Sequence, residues 1–324
     1  MVDNSDEPPL AGKDRDLVEL IIKKGLGFLA TQQIKLLVEI AEYADSHKVD
    51  VLNGSFGTGG PQAMTIIANL YKGLTGKDPE PETLVELTVH FLKALITEGE
   101  KIAKAAPDTL FVFASGNDGM NNDLIPSSPA SVVADNVISV GASKEFDSIA
   151  EFSNFGKKSV HVLAPGVGIK SSIPGNEYLA ASGTSQAAPY VAGVAAAVKK
   201  INPKLKPFEI KKILIETVDK NDDALKTTIS GGIVNVKRAK AAARLSKTGR
   251  LSAAIKLSKT SISNMKSRFS LLRRAERAST GSSMLMPLPS AFKMKKDLRL
   301  NDFKRNVSIQ KALKQFKTRS FSIR

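Results

Sequence analysis

Residues 183–193 read GTSQAAPYVAG, so Ser185 follows two small residues and precedes an alanine-rich run. Small residues in front of a serine let the backbone turn sharply into a helix, which places the serine at the helix N-terminus. Unpaired backbone N–H groups and the helix dipole favour negative charge at that position. An acyl-transfer nucleophile needs this environment, because an oxyanion develops beside it. The same residues also fit a plain helix start that is capped by Thr184 or Ser185.

A second polar segment comes directly after an apolar run. Residues 110–114 read LFVFA, which is typical of a buried strand, and residues 115–119 read SGNDG. An asparagine between glycines is typical of a turn, because asparagine tolerates the left-handed conformation. The residues alone therefore leave open whether Asn117 has a structural or a chemical role.

Helical and extended segments alternate in the part of the chain that must position these residues. The predicted helices cover residues 33–44, 84–105, 185–199 and 207–218. The predicted strands cover residues 49–53, 110–114, 137–142 and 160–163. Helices that alternate with short, nearly continuous apolar strands indicate an α/β fold with a mostly parallel sheet covered on both faces. Residues 58–84 contain Gly, Pro and Lys and look like an inserted segment.

The positive charge of the chain lies almost entirely at its C-terminal end. The net charge is +15, and residues 246–324 hold 20 Lys and Arg against 3 Asp and Glu. We therefore divide the chain into a polar leader and helix (1–32), a folded body (33–245) and a basic, partly disordered tail (246–324). Within the tail, residues 302–324 fit a basic amphipathic helix that would contact an anionic surface or an acidic partner. A solvated extension is the alternative, and no motif predicts specific nucleic-acid binding.

Some classes of protein are excluded by composition. The chain has no cysteine, which rules out disulfides and thiolate chemistry. No apolar run reaches the roughly 18 residues of a membrane span. The first residues, MVDNSDE, are acidic and polar and do not fit a signal peptide. The compartment of the protein stays unknown from these observations.

Several separated motifs, in the same order, resemble the catalytic domain of the subtilisin-like serine proteases (subtilases). Residues 183–193 are similar to the nucleophile motif of that family, residues 51–57 (VLNGSFG) to its substrate-binding edge strand, and residues 113–119 (FASGNDG) to its oxyanion-hole segment. The resemblance covers about residues 33–245, which correspond to the C-terminal two-thirds of the catalytic domain. It implies a subtilisin-like three-layer α/β fold that is incomplete at its N-terminal end, and a serine-type endopeptidase.

The resemblance also implies a role for each site residue. Ser185 would be the nucleophile, and the Asn117 side-chain amide with the Ser185 backbone N–H would stabilise the oxyanion. The backbone of a peptide or protein substrate would pair with residues 55–57, and one substrate side chain would lie against the backbone of residues 114–116. These substrate-binding residues are Ser55, Phe56 and Gly57 in the first stretch and Ala114, Ser115 and Gly116 in the second.

The sequence lacks the family's motifs for the histidine and the aspartate of a serine-protease triad. The family places Asp-Thr/Ser-Gly and His-Gly-Thr motifs upstream of the substrate-binding strand, and this chain has neither. Its three histidines, His47, His90 and His161, fit structural positions. Two explanations are open: a truncated protease, which we favour because the serine and asparagine motifs are intact, or a non-catalytic peptide-binding pseudoprotease. Either way, we expect this chain alone to be inactive or strongly impaired.

Cofactors and localisation are only weakly addressed by the resemblance. We expect no cofactor, although relatives often use structural calcium; no acidic loop pattern typical of a calcium site is present. The family is commonly secreted, which is an expectation for this chain only through the resemblance.

Overall fold

The computed structural model describes residues 12–263, in which a seven-stranded sheet forms the centre of the fold. Its strands are β1 (Val51–Gly54), β2 (Leu110–Ala114), β3 (Val137–Lys144), β4 (Ser148–Ile149), β5 (Val162–Pro165), β8 (Asp219–Lys220) and β9 (Gly232–Ile233). Their order is β1-β2-β3-β5-β9-β8, with β4 beside β3. Strands β1, β2, β3, β5 and β9 pair in parallel, whereas β4 pairs antiparallel with β3 and β8 pairs antiparallel with β9. A separate hairpin consists of β6 (Ile169–Ile173) and β7 (Glu177–Ala181).

Helices cover both faces of this sheet. They are α1 (Gly12–Ser46), α2 (Gly60–Thr75), α3 (Pro81–Ala105), α4 (Thr184–Ile201), α5 (Pro207–Glu216), α6 (Asp222–Thr227), α7 (Val236–Leu245) and α8 (Leu251–Ser261). Leu110, Val112 and Ala114 of β2 share one core with α4, α5 and α7. Phe111 and Phe113 point the other way and share a second core with α1, α2 and α3. The predicted α/β fold with a mostly parallel, doubly covered sheet is therefore confirmed.

Helix α4 begins at the carboxyl end of the sheet and packs across β1, β2, β3 and β5. The residues that it buries are mostly small: Ala187, Ala188, Val191, Val194, Ala195 and Val198. Small side chains let the helix lie close to the strands, because little volume separates the two backbones. This packing fixes the N-terminus of α4 at the edge of the sheet where β1 and β2 end.

The helices extend further than the periodicity of the sequence predicted. The predicted helix over residues 33–44 is the C-terminal part of α1, which crosses the predicted boundary at residue 33 without interruption. The supposed insertion contains α2, whose Ala63 and Ile67 lie in the second core. Helix α8 lies within the predicted tail, yet it packs against α7 and buries Ile255. The predicted helix over residues 302–324 lies outside the described residues.

Strand β1 forms one edge of the sheet, and apolar surface flanks it. Among residues 12–263, β1 pairs with β2 alone. On one side, α1 exposes Leu36 (60%), Ile40 (43%) and Tyr43 (66%). On the other side, Gly193 of α4 is exposed, and a Cβ added there would meet no atom within 4 Å. Strand β1 is therefore an open edge of the sheet among these residues, and α1 exposes apolar side chains.

None of the helices described between residues 12 and 263 is long and apolar enough to cross a membrane.

Candidate functional site

Ser185 lies in the first turn of α4, directly after Gly183 and Thr184. Its side chain is half-buried and contacts the chain that leaves β1. The Ser185 Oγ donates a hydrogen bond to the backbone carbonyl of Ser55 at 3.4 Å, and the Ser55 Oγ donates one to the backbone carbonyl of Ser185 at 3.0 Å. This reciprocal contact joins the predicted nucleophile to the predicted substrate-binding stretch.

Asn117 follows β2 and reaches the same helix start. Its Oδ1 accepts hydrogen bonds from the Thr184 backbone N–H at 2.8 Å and from the Thr184 hydroxyl at 2.9 Å. With Oδ1 held in this way, the Nδ2 group lies on the opposite side of the carboxamide. No described residue offers Asn117 Nδ2 an acceptor, so this donor is available to a ligand. The structure thus brings Asn117 and the Ser185 segment together, as the sequence predicted.

A cavity of about 420 Å³ opens between these residues. Seven of the eight predicted site residues line it: Ser55, Phe56, Gly57, Ala114, Gly116, Asn117 and Ser185. Ser115 does not line it, because its side chain is fully buried and its Oγ donates to the Asn154 carbonyl at 3.0 Å. The Ser115 side chain therefore points into the core, and a substrate-binding role of the backbone of residues 114–116 stays a prediction.

Five further residues line the cavity and were missed by sequence reasoning: Gly59, Gln62, Asp118, Ser127 and Thr184. Gln62 comes from α2, within the segment that was interpreted as an insertion. Thr184 and Asp118 are the immediate neighbours of Ser185 and Asn117, so adjacency alone could have indicated them. No feature of the sequence around Ser127 indicates that this residue lies at the site, because tertiary contacts bring it there.

The stretch after β1 is held open by backbone contacts. Thr58 and Ser128 exchange two backbone hydrogen bonds, at 2.8 and 3.0 Å. A Cβ added at Gly57 would lie 2.3 Å from the Ser128 carbonyl oxygen, so only glycine fits there. Phe56 is 50% exposed and its ring meets Phe113 edge-on at 6.4 Å. Residues 55–57 therefore line the cavity, and Phe56 is the one large side chain among them.

The histidines of the chain lie elsewhere, and none lines the cavity. His47 follows α1, where its Nδ1 contacts the Tyr43 carbonyl at 2.9 Å. His90 is exposed on α3. His161 is buried, and its Nδ1 accepts from the Ser139 N–H at 2.9 Å. Burial, with a smaller contribution from Lys211, lowers the pKa of His161 to about 3, so this ring is neutral at physiological pH.

Ser185 lies at a helix start, near the Asn117 amide N–H that no described residue accepts from. This arrangement fits the family to which the chain is related. The profile of the Subtilase family matches residues 21–233, which is more than half of the chain. The chain belongs to the subtilase family. Members of this family are serine proteases, and the mixed α/β body described above has the fold of the family.

Individual subtilases resemble parts of the chain. Subtilisin-like protease 2 of Plasmodium falciparum is 39% identical over 149 residues, which are 45% of this chain and 11% of that protein. Alkaline elastase YaB of Bacillus sp. is 39% identical over 134 residues, which are 41% of this chain and 33% of that protein. Subtilisin Savinase of Lederbergia lenta is 29% identical over 199 residues, 61% of this chain and 60% of that protein. This subtilase chain therefore spans less than two-thirds of each relative.

Among solved structures, the self-cleaved protease domain of PatA is similar at 23% identity and a TM-score of 0.46, over 64% of this chain and 67% of that one.

Within residues 12–263, no group of three or more His, Asp or Glu side chains is placed to hold a metal ion. The expectation that relatives' structural calcium could be shared by this chain stays untested.

Proposed function

We propose that this chain carries the nucleophile and the oxyanion hole of a serine endopeptidase that hydrolyses peptide bonds through an acyl-enzyme. The main support is the pair of hydrogen bonds from Thr184 to Asn117 Oδ1, which leaves the amide donor of Asn117 beside Ser185. In the first step, Ser185 Oγ bonds to the scissile carbonyl carbon and its proton passes to a base. The carbonyl oxygen becomes an oxyanion, which would accept from Asn117 Nδ2 and the Ser185 N–H.

The substrate would be an extended peptide segment. The backbone of residues 55–57 continues from the edge strand β1, and an extended peptide can add to such an edge by main-chain hydrogen bonds. The small residues Ala114 and Gly116 leave room beside Ser185 for one substrate side chain. The carboxylate of Asp118 is the only charged group that lines this cavity within the described part of the chain.

Activity of the chain alone would be strongly reduced, because no histidine lines the cavity. In subtilisin, loss of the catalytic histidine lowers turnover by about 10⁶-fold and leaves only oxyanion-hole and binding effects. The chain has three histidines, at positions 47, 90 and 161, and each of them lies elsewhere in the fold. We therefore propose that the base and its aspartate come from polypeptide outside residues 1–324. The unpaired edge of β1 in the described part of the chain offers such polypeptide backbone groups to pair with.

The same absence supports a second candidate, a pseudoprotease that holds peptides without cleaving them. The exposed backbone of residues 55–57 and the cavity beside it would serve this function equally well. The two candidates differ in whether Ser185 reacts when a base is supplied.

Chemical rescue tests this difference. The full chain is incubated with a fluorophosphonate probe, with and without added imidazole, and labelled peptides are identified by mass spectrometry. Reaction forms the Ser185 Oγ–phosphorus bond, expels fluoride and passes the hydroxyl proton to imidazole. We expect slow labelling of Ser185 that accelerates with the concentration of neutral imidazole, because a small base can enter the cavity.

Two variants serve as controls. Ser185→Ala should abolish labelling at any imidazole concentration. Asn117→Ala should slow rescued labelling by about 10²–10³-fold, the cost of one oxyanion-hole donor in subtilisin. A wild-type chain that binds a peptide but is never labelled at Ser185 would favour the pseudoprotease. Labelling of other serines at the same rate as Ser185 would contradict the protease candidate, because Ser185 would then not be specially reactive.

A further inference from the structure

Asn154 is a buried residue in the loop between β4 and β5, and the sequence predictions give it no role at the site. Its exposed fraction is 1%, and it lies directly behind the segment that carries Asn117. Its Oδ1 accepts two backbone hydrogen bonds, from the N–H of Asp118 at 2.9 Å and from the N–H of Met120 at 3.0 Å. One side-chain oxygen therefore holds the chain immediately after Asn117 at two points.

The backbone of Asn154 holds the chain on the other side of Asn117. The Asn154 N–H donates to the Gly116 carbonyl at 2.9 Å, and the Asn154 carbonyl accepts from the Ser115 Oγ at 3.0 Å. Asn117 is thus bracketed by hydrogen bonds to a single residue 37 positions later in the sequence. This anchoring matters because residues 115–119 belong to no helix or strand that could fix their conformation.

The shape of the segment also depends on the Asn154 side chain. Gly116 has φ +110°, a conformation that L side chains rarely adopt. A Cβ added at Gly116 would lie 2.4 Å from Asn154 Nδ2, so the carboxamide of Asn154 occupies the space that a side chain would need. The turn and the asparagine behind it therefore fit each other.

We propose that Asn154 is a positioning residue of the oxyanion hole: it fixes residues 115–120 so that Asn117 Nδ2 faces the cavity beside Ser185. This inference rests on the proposed function and adds to it a residue that does not touch the substrate. Without the two bonds to Oδ1, the N–H groups of Asp118 and Met120 lose their partners, and the segment relaxes toward other turn conformations. Stabilisation of an oxyanion then suffers, whereas ground-state contacts of a peptide along residues 55–57 do not.

A peptide boronic acid tests the proposal on the full chain without needing a catalytic base. The Ser185 hydroxyl adds to trigonal boron, a B–O bond forms, and its proton is released to solvent, which gives a tetrahedral boronate anion. One boronate oxygen then occupies the position of the oxyanion. The readout is the affinity for the boronic acid divided by the affinity for the same peptide as a carboxamide, with boron NMR reporting the tetrahedral adduct.

The variants separate positioning from stability. Asn154→Ala should lower the affinity ratio by about 10- to 100-fold, as expected for lost buried hydrogen bonds. Asn154→Asp keeps an acceptor oxygen and should recover most of the ratio. Asn136→Ala is the matched control, because Asn136 is also a buried asparagine that bonds three carbonyls, those of Ala103, Ala106 and Thr109, away from the cavity. It should lower the melting temperature and leave the ratio unchanged.

An unchanged ratio in Asn154→Ala, or an equal fall in Asn136→Ala, would overturn the proposal. If Asn154→Ala fails to fold, Asn154→Ser is used in its place. The proposal then requires a higher affinity ratio in Asn154→Asp than in Asn154→Ser. If wild type forms no tetrahedral adduct, the proposed function fails, and amide hydrogen exchange still decides the role of Asn154. Exchange at Asp118 and Met120 should then accelerate at least tenfold in Asn154→Ala or Asn154→Ser but not in Asn136→Ala; equal exchange would overturn the inference.

Discussion

The hydroxyl of Thr184 donates to Asn117 Oδ1 at 2.9 Å and accepts from the N–H of Gly116 at 3.2 Å. A single fully buried hydroxyl thereby connects the first turn of α4 to the segment after β2. The two segments are 67 residues apart in sequence. Their alignment at the site therefore depends on contacts made by Thr184, the residue before Ser185.

Replacing Thr184 should impair the reactivity of Ser185 more than the fold. Thr184→Val keeps the volume but removes both side-chain hydrogen bonds, and Asn117 Oδ1 keeps only its bond to the backbone N–H. We expect the imidazole-rescued labelling rate to fall about 5- to 30-fold, since each of the two lost buried hydrogen bonds contributes about 1 kcal/mol. Thr184→Ser retains the hydroxyl and should stay within about threefold of wild type. Equal rates for the Val and Ser variants would contradict the role of this hydroxyl.

The exposed face of α4 gives a prediction on stability. A Cβ at Gly193 meets nothing within 4 Å, so Gly193→Ala should gain helix propensity without a clash. We expect the free energy of unfolding to rise by about 0.5–1 kcal/mol, measured by urea denaturation. Gly141→Ala is the contrast, because its Cβ would lie 2.7 Å from Leu163 Cδ2, and it should lower the same free energy. A loss of stability in Gly193→Ala would show that this face is covered in solution.

His161 should make the protein less stable in acid. Its pKa is about 3 when folded and near 6.5 when unfolded, so between these pH values the unfolded chain binds more protons. The free energy of unfolding should therefore fall, on the order of a few kcal/mol, as the pH drops from 6.5 toward 3. His161→Asn keeps an acceptor for the Ser139 N–H but cannot titrate. Urea denaturation at several pH values should show a shallower acid loss in this variant; an identical slope would contradict the assignment.

A buried ion pair secures the end of the described fold. Arg238 Nη1 donates to Asp219 Oδ1 at 2.9 Å, and Arg238 Nε donates to the Ile262 carbonyl at 2.8 Å. Arg238→Met would leave a buried carboxylate without its cationic partner and should lower the free energy of unfolding by about 3–5 kcal/mol. Lys104→Met, which breaks the exposed pair with Glu100, should change it by less than about 1 kcal/mol. Similar losses of unfolding free energy in both variants would show that the buried Arg238–Asp219 pair stabilises the fold no more than the exposed one.

The basic C-terminal residues should be dispensable for the folded body. We expect a chain that ends at residue 263 to keep the melting temperature of the full chain and its boronic acid affinity. Retention on vesicles of anionic phospholipid, measured by co-sedimentation at low salt, should be lost with residues 264–324, because they hold most of the excess positive charge. Retention of the shortened chain would place the anionic contact on the body instead.

The sequence by itself determined the features that depend on neighbouring residues. The apolar run at residues 110–114 became β2 with the predicted bounds, and small residues around Ser185 produced the start of α4. Local steric preferences and burial on both faces of a parallel sheet are sufficient for such segments. The motif order also predicted that the segments of Asn117 and Ser185 lie together, and Asn117 bonds to Thr184, the residue before Ser185.

Only the tertiary structure decided which other residues reach the site. Gln62 arrives from a helix that looked like an insertion, Ser115 turns away into the core, and Asn154 supports the oxyanion segment from 37 positions away. These placements follow from strand order and helix packing, which join distant parts of the chain. Local periodicity carries no information about them, because a hydrogen-bond partner is selected by the three-dimensional path of the backbone rather than by spacing in the sequence.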